Sequence, residues 1–206
     1  MPLHVLDHPL AGHLLAELRD KSTHPERFRL LTESLTTLLV LQATYGIRTR
    51  QDMVETPIKP TAVTVLDQPL AVVPVLRAGL GMLQPPLRLF PDVAVGYIGL
   101  ERHEDTAIAR SYYSKLPTLT GRFTLCLDPM LATGGSAAQA ISLIKEHGAT
   151  QIAMVSIVSA PEGVAYLQAR HPDVPIVTAA LDEGLNSRKY IVPGLGDFGD
   201  RLYGTP

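Results

Sequence analysis

Residues 125–136 of the chain read LCLDPMLATGGS, and this stretch decides the fold. The apolar run Phe123–Leu127 predicts a strand that is buried on both faces, as in a parallel sheet. Gly134 and Gly135 form a turn of small residues, and residues 136–147 then read as a helix that Gly148 ends. A strand followed by a turn and a helix is the repeating unit of a wound α/β sheet, in which ligands bind at the carboxyl ends of the strands.

The same stretch has the features of an anion site. Backbone N–H groups at a helix N-terminus attract negative charge, and glycines let the backbone close around a phosphate. Thr133 and Ser136 add hydroxyl donors, while Asp128, at the end of the strand, is placed to accept hydrogen bonds from sugar hydroxyls. The alternative from residue types alone is an ordinary helix N-cap after a tight turn.

Short apolar runs between prolines and glycines predict the rest of the sheet. The predicted strands are Ala62–Leu66, Leu70–Val75, Val93–Leu100, Phe123–Leu127, Ile152–Val158 and Ile176–Ala180. The first fifty residues read as helical, including Phe28–Tyr45 with apolar residues at a period near 3.6. A further helix is predicted at Glu162–Arg170, and Asp182–Pro206 is expected to be loop or irregular structure. We therefore expect one α/β domain, residues 1–206, with a parallel sheet.

Composition excludes several classes of function. The 206 residues are 46% hydrophobic and 18% charged, with a formal net charge of −2 and no basic block, which disfavours nucleic-acid binding. Cys126 is the single cysteine, so a disulfide within the chain and cysteine-rich zinc sites are excluded, and a buried structural thiol is expected. No apolar run is long enough to span a bilayer, and a cytoplasmic location is the default expectation.

A second strand-and-turn unit carries a cation. The run VVPVLRAGLG, residues 72–81, predicts a strand ending at Arg77, whose planar guanidinium suits bidentate phosphate contact. Arg102 follows another predicted strand and opens the polar segment Glu101–Pro117, which contains Arg110 and Lys115. A connection of that length in a compact domain is often functional, although a solvated hairpin is the alternative.

The tail contains a misleading pattern. Residues 190–201 read YIVPGLGDFGDR, in which Gly194, Gly196 and Gly199 spell the dinucleotide-binding pattern G-x-G-x-x-G. That pattern is meaningful only between a strand and a helix of a βαβ unit, which does not fit here. We interpret the match as accidental, together with the kinase-like triplet Asp197-Phe198-Gly199.

Residues 128–136 resemble the motif that binds phosphoribosyl pyrophosphate (PRPP) in uracil phosphoribosyltransferases. The Asp128-Pro129 pair, where most other phosphoribosyltransferases have two acidic residues, is typical of the uracil branch. The arginine turn and the tail resemble two further motifs of this family, in the family's order, and the resemblance runs from His8 to Thr205. It implies a type I phosphoribosyltransferase-like fold with N-terminal helices and an irregular C-terminal segment that binds the base. The implied reaction joins uracil to the phosphoribosyl group of PRPP and gives UMP and pyrophosphate.

The resemblance also implies roles for particular residues. Arg77, Arg102, Asp128 and Asp197 would be catalytic, with the segment 101–117 closing over the substrates. The residues implied to bind PRPP are Arg77, Arg102, Asp128, Pro129, Met130, Leu131, Ala132, Thr133, Gly134, Gly135, Ser136 and Asp197. The residues implied to bind uracil through the main chain are Ile191, Gly196, Asp197 and Phe198. Phe198 departs from the family, which usually has a small residue there, so a pocket of different shape is expected.

The resemblance implies Mg²⁺ as a cofactor, held mainly through PRPP rather than by a cage of protein ligands. It also implies a homodimer or homotetramer and, as in some members, activation by GTP. Two alternatives stay open at this point. One is a phosphoribosyltransferase acting on another base, such as a purine, and the other is a non-catalytic regulator that binds nucleotide or RNA.

Overall fold

A mostly parallel β-sheet forms the centre of the computed structural model, which describes residues 3–102 and 109–205. The strands are β1 Leu3–Val5, β2 Thr49–Glu55, β3 Pro60–Leu66, β4 Leu70–Leu76, β5 Ala94–Val95, β6 Tyr97–Arg102, β7 Ala109–Lys115, β8 Phe123–Leu127, β9 Met130–Leu131, β10 Gln151–Ser159, β11 Ile176–Leu181, β12 Gly184–Leu185 and β13 Ile191–Val192. The helices are α1 Pro9–Arg19, α2 Pro25–Ala43, α3 Gln84–Leu89, α4 Gly135–Glu146, α5 Pro161–Arg170 and α6 Phe198–Tyr203, and a 3-10 helix spans Ala78–Met82. Proline in the first turn of α1, α2 and α5 suits a helix start, where its missing N–H has no intrahelical partner.

The central sheet has the order β1-β11-β10-β8-β4-β6-β7, with β5 beside β4 and β9 beside β10. Each neighbouring pair is parallel except β6 and β7, which pair antiparallel. Strands β4, β8 and β10 are central, and their carboxyl ends carry Arg77, Asp128 and Ser159 at one edge of the sheet. This edge is where ligands bind in open α/β sheets.

Helices cover both faces of the sheet. On one face Leu125 and Leu127 of β8 join a core with side chains of α1, α2 and α6, among them Phe28 and Leu202. On the other face Cys126 packs in a second core that includes side chains of α4 and α5. The alternation along β8 follows from the two-residue period of a strand, and burial on both faces explains its continuous apolar sequence.

Five of the predicted strands lie in this sheet within one or two residues of their predicted bounds, although Val93–Leu100 divides into β5 and β6. Both predicted helices after residue 130 are also present as α4 and α5. The predicted strand Ala62–Leu66 is real but belongs to a separate two-stranded hairpin, β2–β3. The model contains no helix, in the portion it describes, that is long and apolar enough to cross a membrane.

Two expectations need correction. The first fifty residues are not wholly helical, because β1 pairs with β11 at the edge of the sheet and β2 begins at Thr49. The segment Glu101–Pro117, for which a hairpin was the alternative, contributes β7, which pairs antiparallel with β6. The tail is not wholly irregular, since β12 and β13 form a small antiparallel ladder and residues 198–203 form α6, with Asp197 as N-cap. The Asp197 side chain accepts from the Asp200 N–H at 3.0 Å, so the helix is fixed by local capping rather than by a long apolar period.

Candidate active site

Asp128 is held at the carboxyl end of β8 by its own backbone. Its N–H donates to the carbonyl of Val155 at 3.2 Å, and its carbonyl accepts from the Ser156 hydroxyl at 2.7 Å. Its Oδ1 accepts from the N–H of Met130 at 3.3 Å, which turns the chain into β9. The strand β10 thereby fixes the backbone of Asp128, and the N–H of Met130 orients its half-buried carboxylate. The contact that Ser156 makes with Asp128 had no local sequence signal.

The turn from β9 into α4 is shaped by two close backbone approaches. Gly134 is the N-cap of α4 with a φ of 80°, a left-handed conformation that favours glycine. An added Cβ at Gly134 would lie 2.7 Å from the carbonyl oxygen of Gly163, and one at Gly163 would lie 2.5 Å from that of Ala132. The first turn of α5 therefore packs directly against the loop of residues 128–136 and holds its shape. We call this loop the phosphate-like loop because its features suit the binding of a phosphate.

This turn leaves the start of α4 able to receive an anion. The first N–H groups of a helix have no intrahelical acceptor, and no side chain caps this helix within the described residues. A pocket of about 190 Å³ opens at this point. Its lining comprises Asp128, Met130, Leu131, Ala132, Thr133, Gly134, Ser136 and Ala137. The structure thus brings together most of the loop residues singled out from the sequence, around a concave and mostly polar surface.

Arg77 directly follows β4, at the same edge of the sheet, and its side chain is exposed. The Leu76–Arg77 peptide bond is cis, and the 3-10 helix begins at the next residue. An added Cβ at Gly79 would lie 2.5 Å from the carbonyl oxygen of Leu127, the residue before Asp128. The arginine turn and the Asp128 loop are therefore in direct contact through a glycine.

The predicted base-binding residues also meet in one place. A pocket of about 380 Å³ is lined by Ile191, Gly196, Asp197 and Phe198 together with Met130 and Ala132 of the phosphate-like loop. Arg188, Lys189 and Tyr190 complete its lining. Because Met130 and Ala132 line both pockets, the two cavities adjoin, which a two-substrate site requires.

The Phe198 side chain faces the core. Phe198 is 2% exposed, and its ring packs edge-on against Phe28 with ring centroids 5.0 Å apart. Its large side chain therefore fills space in the hydrophobic core rather than in the base pocket. That the pocket differs in shape from those of the family stays a prediction.

The remaining predicted residues are placed less fully. Arg102 ends β6, but its side chain lies outside the described residues, as do residues 103–108 and the side chain of Arg110. Cys126 is fully buried as predicted, and burial beside the negative charge of Asp128 raises the pKa of its thiol. In the ranges described, no cluster of three or more His, Cys, Asp or Glu residues could hold a metal ion.

Comparison with known proteins agrees with this geometry. A family model described as uracil phosphoribosyltransferase matches residues 5–205. A uracil phosphoribosyltransferase of Dictyoglomus turgidum is 50% identical to this chain over 98% of each protein. A solved structure from Aquifex aeolicus superposes with a TM-score of 0.93 at 37% identity, covering 98% of each chain. A phosphoribosyltransferase from Corynebacterium diphtheriae shares the fold, with a TM-score of 0.52 at 14% identity over 83% of this chain and 96% of its own. With the sheet, the phosphate-like loop and the tail pocket arranged as described, this chain belongs to the uracil phosphoribosyltransferase family.

Proposed function

We propose that this protein transfers the 5-phosphoribosyl group from PRPP to uracil, giving UMP and pyrophosphate in pyrimidine salvage. The observation that carries the proposal is the adjoining pair of pockets, which share Met130 and Ala132. One pocket has phosphate-binding chemistry and the other is bordered by backbone of the tail. Family membership over residues 5–205 supplies the substrate class.

The phosphate-like loop is suited to the phosphoribosyl half of the substrate. We assign the 5′-phosphate to Ala132, Thr133, Gly134, Gly135 and Ser136, where uncapped N–H groups and two hydroxyls converge. Asp128, with Pro129, Met130 and Leu131 beside it, would accept hydrogen bonds from the ribose hydroxyls. Its backbone is held by Ser156 and Val155 and its Oδ1 by the N–H of Met130, so the carboxylate would need little reorganisation when the sugar binds.

The tail pocket is suited to a neutral base read by main-chain groups. Uracil offers two carbonyl oxygens and one N3–H, which match backbone donors and acceptors at Ile191, Gly196, Asp197 and Phe198. Cytosine carries an amino group instead and would leave buried polar groups unpaired, at a cost of about 1–3 kcal/mol for each such group. The burial of the Phe198 side chain supports a contact made by its backbone alone.

In the proposed reaction N1 of uracil attacks the anomeric carbon from the face opposite pyrophosphate. The bond from that carbon to the pyrophosphate oxygen breaks, the configuration inverts, and the proton of N1 is released to water or to an oxygen of the leaving pyrophosphate. Arg77 would stabilise the negative charge on the leaving pyrophosphate, and Arg102 has the same proposed role. Asp128 and Asp197 would face the developing positive charge on the ring, so positioning and electrostatics supply most of the catalysis.

The residues present suit Mg²⁺ bound chiefly through its substrate. Mg²⁺ prefers oxygen ligands and usually keeps waters and substrate phosphates in its shell. Carboxylates at Asp128 and Asp197 border the two pockets and could contribute oxygen ligands, directly or through water. When bound, Mg²⁺ would neutralise charge on pyrophosphate.

Other expectations stay predictions. They are a single domain over residues 1–206, a homodimer or homotetramer, activation by GTP, a cytoplasmic location and closure of the segment 101–117 over the substrates. Size measurements in solution and assays with added GTP test the second and third directly.

The test is a base panel with Mg²⁺ and PRPP, offering uracil, cytosine, hypoxanthine and adenine separately. We expect UMP and an equal amount of pyrophosphate from uracil alone. Turnover of a purine would keep the PRPP site and overturn the base assignment. Absence of any product, with and without GTP, would favour a regulator and lead to RNA-binding assays at several salt concentrations.

Two variants test the assigned roles. Asp128→Asn keeps the shape of the side chain but removes its charge, and Arg77→Ala removes the proposed pyrophosphate contact. We expect each to lower kcat/KM for PRPP by about 100-fold or more, as for other preorganised electrostatic groups. Near-normal turnover of both variants would contradict the proposed site.

A further inference from the structure

The segment of residues 182–186 has no role in the proposed reaction. In the structure Asp182 is almost fully buried, with 4% of its side chain exposed. Arg19, at the end of α1, contacts it with two parallel hydrogen bonds, Nη1 to Oδ2 at 2.8 Å and Nη2 to Oδ1 at 2.5 Å. Such bidentate pairs are the geometrically most specific ion pairs in proteins.

The Arg19–Asp182 ion pair binds both the N–H and the carbonyl of Gly194. The N–H of Gly194 donates to Oδ2 of Asp182 at 2.9 Å, and its carbonyl accepts from Nη1 of Arg19 at 2.7 Å. Gly194 has a φ of 60°, and an added Cβ would collide with the carbonyl oxygen of Ile191. The peptide groups on either side of residue 194 are therefore fixed by two charged side chains.

A second arginine, Arg201, binds the carbonyl of the next residue, Leu195. Nη1 of Arg201 donates to the carbonyl of Leu195 at 2.8 Å and also to the carbonyl of Leu18. Its Nη2 donates to the carbonyl of Asp20 at 2.5 Å, so the guanidinium bridges the tail and the end of α1. Two consecutive carbonyls of the tail, those of residues 194 and 195, are thus bound by arginines.

We propose that Arg19 and Asp182 are positioning residues for uracil recognition. Neither lines the base pocket, yet they set the orientation of the peptide groups of Gly194, two residues before the pocket residues Gly196, Asp197 and Phe198. Main-chain recognition depends on that orientation, because a rotated peptide exchanges a donor for an acceptor. This inference rests on the proposed function, since it concerns the same base pocket.

The test compares Asp182→Asn and Arg19→Lys with wild type by steady-state kinetics. Asparagine keeps the size of the side chain but loses the charge that holds Arg19, and lysine keeps a charge but cannot form the fork. We expect KM for uracil to rise about 10- to 100-fold, as for a displaced binding group, while KM for PRPP changes less than about twofold. The matched control is Arg27→Gln, which breaks the exposed Arg27–Glu17 pair on the neighbouring helix surface and should leave both constants unchanged.

A purely structural pair predicts a different result. It would lower the thermal midpoint and leave both Michaelis constants unchanged below that temperature, or raise them together, and either outcome overturns the inference. If Asp182→Asn does not fold, Arg19→Lys tests the inference by the same comparison of KM for uracil with KM for PRPP. The wild type is assayed first: no UMP from wild type overturns the proposed function and this inference with it. If the wild type is active but neither variant raises KM for uracil more than KM for PRPP, the inference alone is overturned and the proposed function stands.

Discussion

The hydroxyl of Tyr203 donates a hydrogen bond to the backbone carbonyl of Arg77 at 3.1 Å. Tyr203 is the last residue of α6, whose N-cap is Asp197. The short helix therefore touches the base pocket at one end and the arginine turn at the other. Leu202 adds a second contact, because an added Cβ at Gly81 would lie 2.7 Å from its side chain.

Tyr203→Phe removes this hydrogen bond and keeps the ring. A typical net hydrogen bond is worth about 1 kcal/mol, so we expect kcat/KM for PRPP to fall about fivefold with little change in KM for uracil. Initial rates at varied PRPP check this, and Tyr45→Phe is the control because Tyr45 is 88% exposed. Equal kinetics of Tyr203→Phe and wild type would show that the arginine turn is positioned without α6.

Gly79→Ala tests the contact between the arginine turn and the Asp128 loop. The new Cβ would lie 2.5 Å from a backbone oxygen that cannot move without shifting β8. We expect a loss of about 1–3 kcal/mol in the free energy of unfolding, as for other overpacked sites, and a fall in kcat of at least about tenfold.

The control for that variant is Gly12→Ala in α1, where an added Cβ would meet no described atom within 4 Å. Alanine is the better helix former by about 1 kcal/mol, so this variant should be slightly more stable and equally active. Chemical denaturation measures the stability of the two variants, and assays with uracil measure their activity. A Gly79→Ala enzyme as stable and active as wild type would refute the close approach.

Arg188 and Lys189 are exposed cations on the lining of the tail pocket, next to the site proposed for the polyanion PRPP. Their field should raise the local concentration of PRPP and be screened by salt. Lys189 has a φ of 65°, so asparagine, which tolerates that conformation, is the suitable replacement.

For Arg188→Ser combined with Lys189→Asn we expect about a threefold rise in KM for PRPP at low salt, which disappears near 0.5 M salt. Lys59→Ser, in the distant β2–β3 hairpin, serves as the charge control. A difference that persists at high salt would point to direct contact instead of long-range attraction.

His171 gives a prediction for pH dependence. It is 8% exposed, and its Nε2 lies 3.0 Å from the carbonyl of Ala138. Burial lowers its pKa below the ordinary value of 6.5, and this outweighs the hydrogen bond to Ala138 and the negative charge of Asp173, which both raise it. The positive charges of Lys145 and Arg170 lower the pKa further. The stabilisation is present above pH 6.5 and is lost as pH falls, because the unfolded chain then binds a proton that the folded chain resists.

The measurement is the free energy of unfolding of wild type and His171→Gln between pH 7.5 and pH 5, in steps of about half a pH unit. We expect the wild type to lose more stability over this range than the variant. Parallel curves for the two proteins would show that His171 titrates normally in the folded state.

Much of the site was predictable because its chemistry is local in sequence. The strand, the turn and the helix of residues 123–147 follow one another, so Asp128 and the helix start are set by neighbours. Arg77 was predictable for the same reason, as the first residue after an apolar strand. Placing these residues at one edge follows from parallel strands alone.

What was missed depends on contacts between distant parts of the chain. Arg19 and Asp182 are 163 residues apart, and neither carries a local signal of its partner. β1 is only three residues long and is a strand because β11 offers an edge to pair with. β2 is almost wholly exposed and begins with four polar residues, a weaker pattern than that of a buried apolar strand.

The contacts that join α1 to the tail, made by Arg19, Asp182 and Arg201, affect the order in which the two pockets form during synthesis of the chain. Residue 19 leaves the ribosome early, whereas residues 182, 194 and 201 emerge more than 160 positions later. During synthesis the phosphate-like loop can form as soon as β10 and α5 are out, but the base pocket lacks its framework until the tail reaches α1. A nascent chain should therefore acquire affinity for PRPP before it acquires affinity for uracil.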